Sequence, residues 1–80
     1  MRSKLPLFWI VHTIDNAPAV FIQDASSLIY ARLAASRAGF DGTFVEAHEM
    51  DAKMARKVPK KMTGRALSQG EAAILLKRMA

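Results

Sequence analysis

The sequence predicts an α+β domain: a three-stranded antiparallel sheet in the order 2-1-3, with helices packed on it and elements running β-β-α-β-α-α. Three observations carry this expectation. Leu7–Ile14 is rich in aromatic and β-branched residues and apolar on both faces, as a strand covered on both sides should be. Residues 24–39 repeat Leu28, Ala31, Ala35 and Ala38 at three- and four-residue spacing, which makes one buried helix face. Thr43–Glu49 follows that helix, and a right-handed crossover returns it parallel to the strand the helix leaves. It then cannot lie antiparallel beside the second strand, and placing it beside the first puts the doubly apolar strand in the middle.

Taken in order, Leu7–Ile14 leads into Asp15-Asn16-Ala17-Pro18, which is turn chemistry, and a second strand over 19–23 closes a hairpin. Asp24, Ser26 or Ser27 can cap the helix, and Gly39 supplies the left-handed position that stops it. This helix carries a second apolar stripe, Ile29, Tyr30 and Leu33, leaving Arg32, Ser36 and Arg37 for water. The alanine face suits close approach to a sheet, and the bulkier stripe suits another helix. If Val20 and Ile22 face the helix, Phe21 faces away, joined by Phe44 and either Trp9 or Phe8. An open face carrying those rings would be a base-stacking platform, whereas a covered one is ordinary core.

Asp51 can cap a short helix over 52–57, with Met54, Ala55 and Val58 inward and Pro59 as its stop. A connector follows. Ser68-Gln69-Gly70-Glu71 is a capping box, Leu67 and Ala72 occupy the staple positions, and Ala72, Leu75, Leu76 and Met79 make the apolar face of a last helix. Lys77 and Arg78 in its final turn suit the helix dipole.

Eighty residues, 51% of them hydrophobic, make one small domain, 1–80, with no cysteine to staple it. Cysteine-free composition fits a reducing cytoplasm. Arg2 and Lys4 before an apolar run resemble the start of a signal peptide, but Pro6 and His12 interrupt the pattern, and no run is long enough to span a membrane. The formal charge of +5 is concentrated in the helix and loop segment 53–65, where Lys53, Arg56, Lys57, Lys60, Lys61 and Arg65 stand without an acidic neighbour. Clustered cations create the local potential that draws phosphates, so these six are the candidate anion-binding residues; the alternative is a solvated surface that keeps the protein soluble.

No nucleophile, phosphate-cradling loop or catalytic signature stands out, and no cofactor is implied, so the chain reads as non-catalytic. The one arrangement worth testing is Glu46 and His48, on one face of the third strand, with His12 in the strand expected beside it, where a carboxylate and two imidazoles could converge. Lys57-Val58-Pro59-Lys60-Lys61, Gly64-Arg65 and Leu67-Ser68-x-x-Glu71-Ala72-x-x-Leu75-Leu76 resemble the tail of short bacterial proteins to which no function is assigned. The Leu-Ser-x-x-Glu-Ala part also resembles the ends of C-terminal repeats of bacterial topoisomerase I, whose zinc cysteines in some members have no counterpart here. Two function classes follow: a protein-interaction or homo-oligomerisation module using a sheet edge or apolar patch, or a nucleic-acid accessory domain holding phosphates through 53–65.

Overall fold

The structure is a computed structural model that describes residues 5–79. β1 (Leu7–Ile14) and β2 (Ala17–Asp24) form a hairpin, α1 (Leu28–Arg37) crosses one face of the sheet, and β3 (Thr43–Glu49) returns antiparallel to β1. A single helical turn, α2 (Ala52–Ala55), then leads through a 3-10 turn (Lys60–Met62) to a short strand, β4 (Arg65–Leu67), and to α3 (Gln69–Met79). Arg2 and Lys4 lie outside the described residues. Among the described residues no helix is long and apolar enough to cross a membrane.

The fold is α+β and antiparallel, and the expected 2-1-3 arrangement makes three of its strands, but the sheet has four, in the order β3-β1-β2-β4. The segment read as a connector supplies the fourth. Gly64, at φ +76°, donates its N–H to the Ile22 carbonyl at 2.7 Å, and Leu67 and Ala66 then pair with Val20 and Phe21. Three residues are too few to display strand alternation, so this pairing is set by tertiary structure.

Local chemistry accounts for the ends of the elements. Asp15 and Asn16 both take positive φ, making a two-residue turn that starts β2 at Ala17. Ser27 caps α1 by accepting the Tyr30 N–H, and Gly39, at φ +89°, ends it. Asp51 accepts the Lys53 N–H at 2.9 Å, but α2 stops at Ala55 and leaves Met54 exposed, while Ala55 and Val58 turn inward. Ser68 and Glu71 form the reciprocal capping box, with both bonds at 3.1 Å.

Each face of the sheet has its own core. Phe8, Ile10, Phe21 and Phe40 pack against Ala31 and Ala35 of α1, and Trp9, Val20 and Ile22 pack against Leu67, Met50, Met62 and Leu75 on the α3 side. The expected facing of β2 is therefore reversed, with Phe21 toward α1. β2 is apolar in both parities, and volume decides: the alanine face leaves room for a ring. Trp9, Phe8 and Phe21 are all buried, so these rings are core and offer no open face for stacking bases.

The bulky stripe of α1 meets no second helix, because α2 and α3 pack on the opposite face of the sheet. Ile29, Tyr30 and Leu33 stay 71%, 61% and 47% exposed. On α3, Leu75 is fully buried and Ala72 half-buried, while Leu76 faces solvent; the side chain of Met79 lies outside the description.

Candidate interaction surfaces

The six cations of 53–65 occupy three different local structures. Lys53 lies in α2 and Arg56 directly after it, Lys60 and Lys61 lie in the 3-10 turn, and all four are exposed with no acidic partner among the described residues. Lys57 reaches across to the end of α3, its Nζ donating to the Arg78 carbonyl at 3.1 Å. That contact carries the basic segment to Lys77 and Arg78 and satisfies a carbonyl that a helix end leaves open.

Arg65 is otherwise engaged. Its Nη1 and Nη2 donate to the two carboxylate oxygens of Glu71 at 2.9 and 2.6 Å, and its Nε donates to the Lys61 carbonyl at 2.9 Å. The hydrogen bonds from Arg65, followed by that from Ser68, hold the Glu71 carboxyl at about 2, well below its ordinary 4.5. The same pair raises the pKa of Arg65, chiefly through its hydrogen bond to Glu71. Arg65 ties β4 to the start of α3, and a count of charges along the sequence has no means of subtracting it.

On the other side of the molecule, β3 is an edge strand, paired only with β1. Its pairing slips once: Val11 opposes Glu46 and His12 opposes Phe44, so Val45 is an extra, bulged residue. The bulge puts Phe44 and Glu46 on opposite faces although they are two residues apart. Phe44 joins His12 on the α1 face, while Glu46 and His48, opposite Val11 and Trp9, share the α3 face. The convergence of Glu46, His48 and His12 is thereby excluded, and among the described residues no three acidic or histidine groups cluster as metal ligands would.

His12 instead stacks at 4.3 Å on Phe40 and meets Phe44 edge-on at 5.9 Å. Its Nδ1 lies 2.8 Å from the Asp41 carbonyl, which can only accept, so Nδ1 carries the proton. Arg32 lies over the Phe44 ring at 4.0 Å, a cation–π contact. Between this group and α1 runs an open cleft of about 460 Å³, lined by His12 and Phe40 and by Ile29, Arg32, Leu33 and Ser36. Ile29 and Leu33 of the bulky stripe thus lie on the same side of α1 as Arg32, toward β3.

No family model, curated protein or solved structure matches this chain. Function must be read from surface chemistry, and the two sheet edges differ sharply. Asp41, Glu46, Glu49 and Asp51 lie in or beside β3, and no lysine or arginine occurs between Ala38 and Ala52. At the opposite edge, Lys60 and Lys61 lead into β4, which begins at Arg65. The β3 surface was not singled out from sequence, although one signal pointed to it: a helix apolar on two faces, with a second helix expected on the bulkier stripe and none identified to supply it.

Proposed function

We propose that this protein is a non-catalytic interaction module that self-associates, a second copy docking along β3 and the adjoining stripe of α1. The observation that carries this reading is the exposure of Ile29 and Leu33, in the cleft they share with Arg32 beside a strand whose outer edge is unpaired among the described residues. An open edge offers main-chain hydrogen bonds, and a contiguous apolar patch beside it offers area to bury. A two-fold axis perpendicular to the sheet would extend it to eight strands and leave both α1 helices on the same face, their Ile29 and Leu33 sides turned toward each other. Main-chain pairing alone falls short of the roughly 800 Å² per partner of a stable interface, so the helix stripe must supply much of the rest. The cysteine-free composition supports a reducing cytoplasm as its setting.

Sedimentation across a concentration series tests the reading. Dimer is expected in the micromolar range, and Ile29→Asp with Leu33→Asp should shift it to monomer without changing the fold, since both side chains are already exposed. A parent protein that stays monomeric at ~0.1 mM would exclude it; that concentration would populate any interface worth more than about 5.5 kcal/mol.

Phosphate binding is the second reading, favoured by the Lys57 contact that joins the basic segment to the last turn of α3. With Lys57 and Arg65 engaged, the segment offers Lys53, Arg56, Lys60 and Lys61. Those four should contribute about −4 at most to the log-log salt slope of its duplex-DNA affinity. Lys57→Gln, Lys60→Gln and Lys61→Gln together should flatten that slope and leave self-association intact. Absence of DNA and RNA binding at ~50 mM salt would eliminate this reading.

A further inference from the structure

We infer that the second copy docks in one particular register, with the two-fold axis beside Ala47, so that Glu46 of each copy lies opposite His48 of the other. This inference rests on the self-association proposed above and specifies its contacts.

Strand geometry restricts the choices. Met50 donates its N–H to the Leu7 carbonyl at 2.8 Å, so the main-chain groups of Met50 point inward to β1. Those groups alternate along a strand, so Glu46 and His48 also point inward, and Ala47 and Glu49 present theirs to the open edge. The bulge at Val45 disturbs the edge beyond Glu46, which confines regular pairing to the end containing Ala47. An antiparallel two-fold must pass beside a residue paired with itself, leaving Glu46, Ala47 or His48.

Charge chooses among the three. An axis at Glu46 sets two carboxylates directly opposite each other on an edge already carrying Asp41, Glu49 and Asp51. An axis at His48 opposes two imidazoles and sets each Glu46 opposite Met50, which offers its carboxylate no side-chain hydrogen-bond donor. An axis at Ala47 lets the outward Ala47 groups exchange two main-chain hydrogen bonds and forms two Glu46–His48 pairs. These fall at non-hydrogen-bonded positions, where opposing side chains are closest. The same axis carries Glu49 of the second copy beside Val45, on the α1 face where Arg32 covers Phe44.

Because the protein has no cysteine, single substitutions give a clean test. Opposing residues at non-hydrogen-bonded positions have Cα atoms about 4.5 Å apart, within disulfide reach, whereas residues displaced by two lie about 7–8 Å apart, at or beyond its limit. Glu46→Cys and His48→Cys chains are prepared separately, confirmed as dimers by sedimentation, and oxidised with diamide. A covalent dimer in the mixture, with at most a trace from either variant alone, is the expected result. Efficient cross-linking of Glu46→Cys alone or of His48→Cys alone would overturn the register in favour of the corresponding axis. Dimers that sediment as such but never cross-link would place the interface away from β3. Parent protein that never dimerises would remove the underlying reading itself.

Discussion

Over α1 most of the volume of the core comes from the sheet and from the chain just after the helix, as Phe8, Ile10, Phe21 and Phe40, and the helix contributes Ala31 and Ala35 with Leu28 half-buried at its start. On the α3 face the proportions change. The last helix contributes one fully buried Leu75, and Met50 and Met62 from connecting segments fill in beside Trp9, Val20, Ile22 and Leu67 of the sheet. An alanine face fixes a short helix-to-sheet distance and has no slack for a larger side chain, while unbranched thioethers fit gaps of irregular shape. The difference explains why one helix is set closely on the sheet with Ile29, Tyr30 and Leu33 outside, and the other is anchored by a single fully buried leucine.

The largest effect should come from removing volume at the fixed face. Phe21→Ala should cost about 3–5 kcal/mol by denaturant titration, because Ala31 and Ala35 have no atoms with which to fill the space. Leu75→Ala should cost about 2–5 kcal/mol. A loss below ~1 kcal/mol at Leu75 would show that α3 is not held by that leucine and would break the comparison. Adding volume sharpens it: Ala31→Leu should cost about 1–3 kcal/mol through overpacking, and Met62→Leu less than about 1.5. Equal costs at the two positions would mean that the faces are equally tolerant.

The smallest effect concerns the link between β4 and α3. Glu71 is held at about 2 instead of 4.5, so its contribution to stability is present above pH 4.5 and is lost as the pH falls through 2. Both partners are solvent-accessible, so the effect is modest. Acid unfolding of Glu71→Gln should lack that part of the pH dependence, and parent and variant curves should converge at the acid end. Curves differing by a constant amount down to pH 2 would show that the pair does not respond to protonation.

Much of the framework was legible because it rests on local chemistry. The ends of β1 and β3, the Gly39 stop and the Ser68–Glu71 box follow from residues acting on their immediate neighbours. What escaped depends on distant partners. The facing of β2 was undetermined because Val20, Phe21 and Ile22 are apolar in either parity, and only the alanine surface above them separates the alternatives. β4 is too short to show a period. The engagement of Arg65 requires β4 to end where α3 begins, and the separation of Phe44 from Glu46 requires the bulge at Val45. The candidate site shares this asymmetry: the run of cations was visible as composition, but the open β3 edge emerged only with the strand order.

The division of the core into two faces also follows the direction of synthesis. Residues up to Glu49 contain β1, β2, α1 and β3, everything needed to assemble the α1 face, while Met50, Met62, Leu67 and Leu75 all lie later in the chain. On the ribosome the hairpin and α1 can therefore pack while Trp9, Val20 and Ile22 are still bare on the other side. At about 5–20 residues per second, the roughly thirty residues that follow β3 take about 2–6 s to emerge. For that interval the nascent domain presents a sheet with one finished face and one adhesive face, and it is then that a chaperone, or another nascent chain on the same message, would find it most exposed.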